Sequence, residues 1–260
     1  IFGLDRIGEE TYLTIAHPET EEYVALLEDP MSPIAASPPI FVRIHGPAAL
    51  FSSPAFKTER VTYEIITPGA ARGVLEAVLW KPAFRWRIHR IHVCAPIQFA
   101  RIMRNEVGSK ASLNTNAGAY FADEDRVQRN SLYLTNVDYV VEASIVMTER
   151  AGPGDSLRKF EEMFQRRLEK GQTFSPPFLG CREFHAIVEP PVPGWRVAEE
   201  LACLPEKPLG QMLLDIRHNP AGNRMVDDRV VHHCRDCRPL FFEAVLKHGV
   251  LEVPDPETWP

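Results

Sequence analysis

The chain has 260 residues, of which 45% are hydrophobic and 25% are charged, and its formal net charge is −6. This composition is typical of a globular protein with one substantial core, or one core and a smaller appendage. No apolar run reaches the length of a membrane span and no signal peptide is evident, so we expect a cytoplasmic protein with no membrane contact. The five cysteines are odd in number and mostly scattered, which favours reduced thiols over a disulfide framework.

The first thirty residues differ from the rest in charge. They hold eight acidic residues and one arginine, a net charge of −7, and because the whole chain carries −6, residues 31–260 carry +1. Met31 opens a Pro- and Ala-rich stretch before an apolar strand and resembles a natural start. We therefore expect an acidic extension (1–30), a main domain (31–194) and a small C-terminal subdomain (195–260). The extension either docks through its charge or packs passively, and an ordered structure by itself would favour neither alternative.

A strand and a helix open the main domain. Alternating apolar and polar residues predict a strand from Phe41 to His45 that ends at the Gly46-Pro47 pair. Thr67 is a good N-cap and Pro68 suits the first helical position. The helix that they begin has one apolar stripe at helical spacing, formed by Ala71, Val74, Leu75 and Val78.

An arginine-rich strand comes next. Every second side chain is apolar from Phe84 to Ile88, and the apolar set restarts one place out of phase at Ile91, which predicts a β-bulge near His89 and Arg90. Between Lys81 and Lys110, seven Lys or Arg residues stand against one acid, a local charge of +6. Such an excess favours binding to a polyanion, above all a nucleic acid. The alternative is a solvated strand face.

The second half of the main domain repeats the pattern. Residues 105–130 are polar without a sustained period and predict a long hairpin or loop. Clean alternation from Val137 to Met147 predicts a strand, and Asp155 or Ser156 caps a helix that Gly171 ends. The apolar face of that helix is formed by Leu157, Phe160, Phe164 and Leu168. A short strand is expected from Cys181 to Val188.

The order strand, helix, strand, excursion, strand, helix, strand is the split βαβ pattern. It predicts an α+β fold with a ferredoxin-like, RNA-recognition-type domain.

Four stretches, in this order, resemble one known family: GPAALF at 46–51, ITPGAARGVLEAVLWKP at 66–82, RNEVGSK at 104–110 and FLGCREF at 178–184. The chain from Ile40 to Val253 is similar to the type I-C CRISPR Cascade subunit, the d form of the Cas-five family. The resemblance implies a ferredoxin-like domain with an extended β-hairpin and a C-terminal subdomain. It also implies a grip on the 5′ handle of CRISPR RNA, a capping position in Cascade and, in these systems, cleavage of the precursor RNA.

The residues implied for cleavage are largely replaced. The resemblance implies a tyrosine at the end of the first helix and an adjacent lysine and histidine near the start of the second. These positions fall at Leu79, Lys159 and Phe160. Metal-free RNA cleavage needs groups that take and give protons and positive charge on the phosphorane. Lys159 alone supplies charge but is a poor base, so we expect processing to be lost or weak.

The candidate RNA-binding residues are basic, amide or aromatic side chains. They are Lys81, Arg85, Arg87, Arg101, Arg104, Asn105, Lys110, Tyr120, Arg166, Arg167 and Arg182. Tyr120 and Phe121, with the polar stretch 105–120, suit contacts to unstacked bases. The implied partners are CRISPR RNA, the backbone and large subunits of Cascade, and target DNA reached through the complex.

Other chemistry has weaker support in the sequence. His232 and His233 precede a Cys-x-x-Cys pair, Cys234 and Cys237, and all four are ligand types of zinc, although an ordinary exposed loop is the commoner explanation. No Gly-rich phosphate loop, carboxylate cluster or Ser-His-Asp arrangement is evident, so we expect neither a metal nor a cofactor. Two alternatives stay open beside non-catalytic RNA binding. One is an active endoribonuclease that uses Lys159 with Tyr63 or His185; the other is a stand-alone binder of double-stranded DNA.

Overall fold

The computed structural model describes residues 2–7, 10–15, 24–26, 35–56, 58–108, 123–217, 223–226, 229–232 and 237–258, with the backbone alone in 2–26 and 223–232. The chain divides into two compact units, Ile1–Ala35 and Ala36–Pro260. The first unit contains β1 (Phe2–Ile7), β2 (Glu10–Ile15) and β3 (Val24–Leu26), which form an antiparallel sheet in that order. The docking of the acidic extension stays a prediction.

The second unit contains the predicted split βαβ arrangement. In chain order its elements are β4 (Ile40–Ala49), α1 (Pro68–Val78), β6 (Phe84–Val93), β8 (Arg126–Met147), α2 (Leu157–Glu169) and β9 (Ile187–Glu189). In the sheet these strands lie in the order β6-β8-β4-β9, all antiparallel to their neighbours. β6 and β9, which each follow a helix, therefore lie on either side of β8 and β4, which do not. The predicted ferredoxin-like α+β fold is confirmed.

Both helices begin as their capping residues predict. The Thr67 side chain accepts a hydrogen bond from the backbone N–H of Ala70 at 3.3 Å, and that of Ser156 accepts one from Lys159 at 3.3 Å. Gly171 follows α2 with φ +61°, the left-handed conformation that ends many helices. The predicted apolar stripes of α1 and α2 are buried in one core against the sheet, except that Leu157 is partly buried and packs against it. Each helix is therefore held by burial of a single face.

Two strand boundaries, those of β4 and β9, differ from the sequence expectations, whereas the predicted bulge does not. The bulge in β6 is confirmed, because its register with β8 shifts between Ile88 and Arg90. β4 continues past Gly46-Pro47 to Ala49, since proline at a ladder position only removes one donor. The strand expected from Cys181 to Val188 is wrong over its first part: β9 begins at Ile187, after turns that Gly180 starts at φ +82°. A Cβ at Gly180 would lie 2.0 Å from the carbonyl oxygen of Leu50, so this turn requires glycine.

A long hairpin projects from the centre of the sheet. β7 (Gln98–Val107) pairs with the first part of β8 in an antiparallel ladder that runs from Gln98↔Thr135 to Val107↔Arg126. The polar stretch expected as a hairpin or loop is therefore a hairpin in its described part, and β8 is eleven residues longer at its start than the strand expected from Val137. The short β5 (Arg60–Val61) pairs in parallel with β8 at Ser131 and Leu132.

The C-terminal strands continue the main sheet. β10 (Glu206–Arg217), β13 (Arg238–Lys247) and β14 (Val250–Glu252) join it beyond β6, in the order β10-β13-β14-β6. A short helix, α3 (Glu199–Ala202), precedes them, and β11 (Asn223–Val226) and β12 (Arg229–His232) form a separate two-stranded ladder. Within the described residues, no helix has the length and apolar character of a membrane span.

Candidate nucleic-acid interface

The arginines of β6 lie on the strand as the alternation predicts, but carboxylates from elsewhere in the chain meet them. Arg85 forms an ion pair with Glu257, and Arg87 forms one with Asp255 at 3.1 Å. Both arginines line a cavity of about 690 Å³ between α1, β6, β10 and the C-terminal residues. Burial, opposed by the charge of Asp255, lowers the pKa of Arg85. Each of these guanidinium groups thus has a carboxylate partner within the chain.

The same pairing extends to the neighbours of these arginines. Arg72, on α1, is held by Asp215 of β10, with a hydrogen bond of 2.9 Å from Nη2 to Oδ1. Burial opposes the charge on Arg72, but the hydrogen bond and charge of Asp215 outweigh it, so its pKa is raised. Arg90 approaches Glu142 at 3.4 Å and Glu252 at 3.5 Å. The excess of +6 counted along the sequence is therefore largely offset where the strand is folded, and Lys81 stays exposed at its start.

One face of the β7–β8 hairpin has a different character. We call it the outer face, and it consists of every second residue of β7 with the residues directly opposite on β8: Phe99, Arg101, Met103, Asn105, Val107, Arg126, Gln128, Asn130, Leu132 and Leu134. None of the ten is acidic, two are arginines and three are amides. Met103 is 61% exposed and Phe99 45%. Leu134, at the base of the hairpin, is buried in the core. The other nine residues bring apolar, amide and cationic groups together on one face, as proteins that stack and contact single-stranded bases do.

The opposite face of the hairpin, its inner face, holds a network of charges. Arg104 forms an ion pair with Glu183, and its guanidinium lies 5.8 Å from the centre of the Phe184 ring. Phe184 in turn stacks on Tyr133 with the ring centres 5.8 Å apart. The predicted RNA-binding residues Arg101 and Arg104 consequently lie on opposite faces, while Asn105 is exposed on the outer one.

The junction of α1 and α2 contains the three positions implied for cleavage. Leu79 is fully buried and its carbonyl accepts a hydrogen bond from Trp86 Nε1 at 3.0 Å. Phe160 is 2% exposed, and its ring centre lies 4.8 Å from that of Phe84. Lys159 is exposed and its Nζ donates to Asp155 Oδ1 at 3.0 Å and to the carbonyl of Gly154 at 3.1 Å. Two of the three positions therefore carry packing side chains that exchange no protons.

The remaining candidates are scattered. Arg166 is exposed on α2, whereas Arg167 donates to the carbonyl of Val78 at 2.7 Å and so joins the two helices. Arg182 is exposed in the turn before β9. Lys110, Tyr120 and Phe121 lie outside the described residues, as do His233 and Cys234 and the side chain of His232. Among the side chains that the structure does describe, no group of three or more His, Cys, Asp or Glu is arranged to hold a metal ion.

Several outer-face residues were missed by the sequence analysis. Phe99, Met103 and Arg126 belong to it. The sequence placed Phe99 and Met103 in one arginine-rich stretch and Arg126 in a polar stretch expected as a hairpin or loop, and it named none of the three as an RNA contact. The usable signal was that apolar and basic residues share the odd positions of 99–107, with no acid among them. A strand buried on one face would keep the two classes apart.

The ferredoxin-like sheet and its projecting, acid-free hairpin face define an α+β protein of the RNA-recognition type. The protein-family model for Cas5d, described as CRISPR-associated protein (Cas_Cas5), matches residues 40–254. The chain belongs to the Cas5d family of CRISPR-associated proteins, and the family resemblance found in the sequence is confirmed.

Two curated relatives have the same name, CRISPR pre-crRNA endoribonuclease Cas5d. The one from Mannheimia succiniciproducens is 40% identical over 230 residues, which cover 82% of this chain and 94% of the relative. The one from Thermus thermophilus is 40% identical over 220 residues, which cover 82% and 90%. A solved structure described as a CRISPR-associated protein matches with a TM-score of 0.57 and 21% identity, over 87% of this chain and 96% of that one. At that identity, the structural likeness supports the fold alone.

Proposed function

We propose that this chain binds the 5′ handle of CRISPR RNA as a subunit of a type I-C-like Cascade complex and cuts the precursor RNA weakly or not at all. Family membership supports RNA as the ligand, since both curated relatives are named for action on precursor CRISPR RNA. The observation that carries the proposal is the outer face, where ten contiguous residues include no acid. In this proposal the partners are CRISPR RNA, the Cascade backbone and large subunits, and target DNA through the complex.

Binding to this face has a direct test. Arg101→Gln with Arg126→Gln removes both cations of the outer face and should weaken binding of repeat RNA. Each phosphate contact that is lost lowers the slope of log affinity against log salt by about 0.7 for single strands. The matched control is Arg196→Gln with Lys247→Gln, which removes the same charge at exposed positions away from the hairpin. If both double variants lose affinity equally in a fluorescence salt titration, the outer face is not the RNA surface.

The other predicted RNA contacts fall into an exposed group and a paired group. Lys81, Arg166 and Arg182 are exposed and available to phosphates, while Arg85 and Arg87 must first leave their carboxylates. Arg104 and Arg167 each hold a partner within the chain. We therefore rank the exposed group ahead of the paired group as phosphate contacts, because a paired guanidinium offers less net charge to RNA.

The weak cleavage follows from the helix junction. General acids and bases typically contribute factors of about 100 to 10,000 each. Leu79 and Phe160 offer no titratable group, and both are buried in the core. RNA binding can persist without them because the proposed contacts to bases and phosphates lie on the outer face of the hairpin, away from these two side chains.

The cleavage test is a single-turnover assay on labelled repeat RNA, with EDTA present. The chain should bind the RNA and leave it intact over times in which a relative with tyrosine, lysine and histidine at these positions cuts it. Rapid, site-specific cutting that disappears in Lys159→Ala would support the second candidate, an active metal-free endoribonuclease. Two observations favour that candidate: the names of the 40%-identical relatives, and the retention of an exposed lysine at position 159.

A further inference from the structure

Three arginines lie close together on the inner face of the hairpin. Arg104 of β7 lies directly opposite Arg129 of β8 in the ladder. Arg60 of β5 lies opposite Ser131, two residues further along the same face of β8. Like charges directly opposite each other destabilise a pair of strands, so this arrangement, which we call the arginine trio (Arg60, Arg104 and Arg129), needs anions around it.

The described residues supply fewer anions than the trio has cations. Glu106 serves two of the arginines, at 2.8 Å from Arg60 and 3.6 Å from Arg129. Glu183 contacts the third, Arg104. Three guanidinium groups thus share two carboxylates. This differs from the cavity beside β6, where Arg72, Arg85 and Arg87 each have a carboxylate of their own.

Two arginines of the trio and the neighbouring Ser131 also hold hydrogen-bond donors that no described group of the protein satisfies. Within the described part of the chain, the Nε atoms of Arg104 and Arg129 and the Oγ atom of Ser131 are buried and have no hydrogen-bond partner. Ser131 is completely buried, and the side chains of Arg104 and Arg129 are only 22% and 29% exposed. Buried polar groups in native proteins are nearly always paired, so each of these three requires a partner. All three can donate, and the arginines can only donate.

We propose that the arginine trio with Ser131 binds an oxyanion, either a backbone phosphate of RNA or free phosphate. A cation is excluded by the surplus of positive charge. Water would satisfy the donors but not that charge. The arginine side chains are partly exposed, and the planar guanidinium fork matches two oxygens of a phosphate. In this proposal the arginine side chains shift when the oxyanion binds, which brings the buried Nε atoms and the Ser131 hydroxyl into contact with it. The stacked Tyr133 and Phe184 rings beside Arg104 give a nucleotide an aromatic surface next to its phosphate. The RNA source rests on the proposed function, whereas the oxyanion site itself does not.

The probe for the site is inorganic phosphate on the full chain, read as the rise in melting temperature and as heat in calorimetry. A ligand that binds the folded state alone raises its melting temperature. We expect phosphate, but not the same ionic strength of chloride, to raise it. Arg129→Gln should weaken phosphate binding about tenfold or more, because a charged hydrogen bond is lost. Arg196→Gln, the same charge change at an exposed position, should bind phosphate as the unmodified chain does.

Ser131→Ala separates a ligand site from a structural role. Without phosphate it should leave the melting temperature unchanged or raise it, since it removes a buried hydroxyl that has no partner. With phosphate it should reduce the gain. A chain that gives no phosphate response, or one that Arg129→Gln and Ser131→Ala leave intact, overturns the proposal.

Repeat RNA then identifies the source of the oxyanion. If phosphate competes with RNA and Arg129→Gln lowers the RNA salt slope by about 0.7, the occupant is an RNA phosphate. If RNA binds equally well to the variant, the site takes free phosphate and the RNA surface is the outer face alone. Failure of the unmodified chain to bind any RNA would reject the proposed function while the phosphate result still stands or falls by itself.

Discussion

The junction of α1 and α2 and the outer face of the hairpin differ in how far their apolar side chains are exposed to solvent. At the junction, Leu79 and Phe160 are sealed in the core and contact other apolar groups. On the outer face, Phe99 and Met103 are exposed beside Arg101, with no acid among the ten residues. In the proposed function, the first region lacks two of the three groups implied for cleavage, and the second supplies the surface that binds RNA.

Because of this difference, we expect stability and RNA affinity to depend on separate regions of the molecule. Changes at the junction should act on stability, because its residues pack the helices on the sheet. Changes on the outer face should act on RNA affinity, because all of its residues except Leu134 lie outside the core. A variant that altered both properties at once would show that the two regions are coupled.

The largest expected effect is at the junction. Phe160→Ala should lower the free energy of unfolding by about 3–5 kcal/mol, the usual loss when a buried phenylalanine is truncated. In a chain of this size that corresponds to a fall in melting temperature on the order of 10 °C. Phe174→Ala is the control, since Phe174 is 82% exposed and its truncation should change little. Calorimetry that finds similar losses for both would contradict the packing role of Phe160.

The burial of the junction also limits any attempt to restore RNA cleavage by mutation. Leu79→Tyr with Phe160→His returns the implied groups, but an imidazole and a hydroxyl must then enter an apolar core. We therefore expect the double variant to be less stable than the unmodified chain. Any gain in RNA cleavage should be judged under conditions in which circular dichroism shows it folded.

An intermediate effect is expected on the outer face. Phe99→Ala should weaken binding of single-stranded repeat RNA by about 1–3 kcal/mol, the usual contribution of a base stacked on an aromatic side chain. Its melting temperature should stay close to that of the unmodified chain, because Phe99 is 45% exposed. Phe174→Ala again serves as the control, this time for RNA affinity. Equal affinity of the two variants in fluorescence anisotropy would remove Phe99 from the RNA surface.

Local rules predicted most of the fold but little of the interface. The caps at Thr67 and Ser156 and the bulge after Ile88 follow from nearest neighbours in the chain, so the sequence was enough to find them. The charge of β6 was misjudged because Asp255 and Glu257, which pair with its arginines, are about 170 residues away. Sequence counts add charges along the chain, whereas ion pairs depend on which strands become neighbours.

The arginine trio illustrates the same limit. Arg60 and Arg129 are far apart in sequence and stand among ordinary polar residues, so neither attracts attention there. They meet only because β5 adds in parallel to β8 while β7 pairs with its other edge. The register of a ladder, which the pattern of a single strand does not specify, decides which side chains share a site.

The smallest expected effect concerns Lys159, the one implied catalytic residue that remains. The hydrogen bond from Lys159, helped by one from the backbone N–H of Gly152, lowers the pKa of Asp155. A carboxyl whose folded pKa is depressed adds stability above its unfolded pKa of about 3.9, and this stability is lost as the pH falls through the folded value. Lys159→Ala should therefore raise the pKa of Asp155 towards its ordinary value, measured by NMR titration of the carboxyl carbon.

Arg158→Ala is the control for that titration, because Arg158 is the adjacent exposed cation and pairs with Glu162 instead. It should leave the pKa of Asp155 where it is. If Lys159→Ala also leaves it unchanged, the lysine is not engaged by Asp155 and its ammonium group is available to a phosphorane. That result would narrow the difference between the junction and the outer face, since one region of this chain would then hold both packing residues and a free cation suited to cleavage.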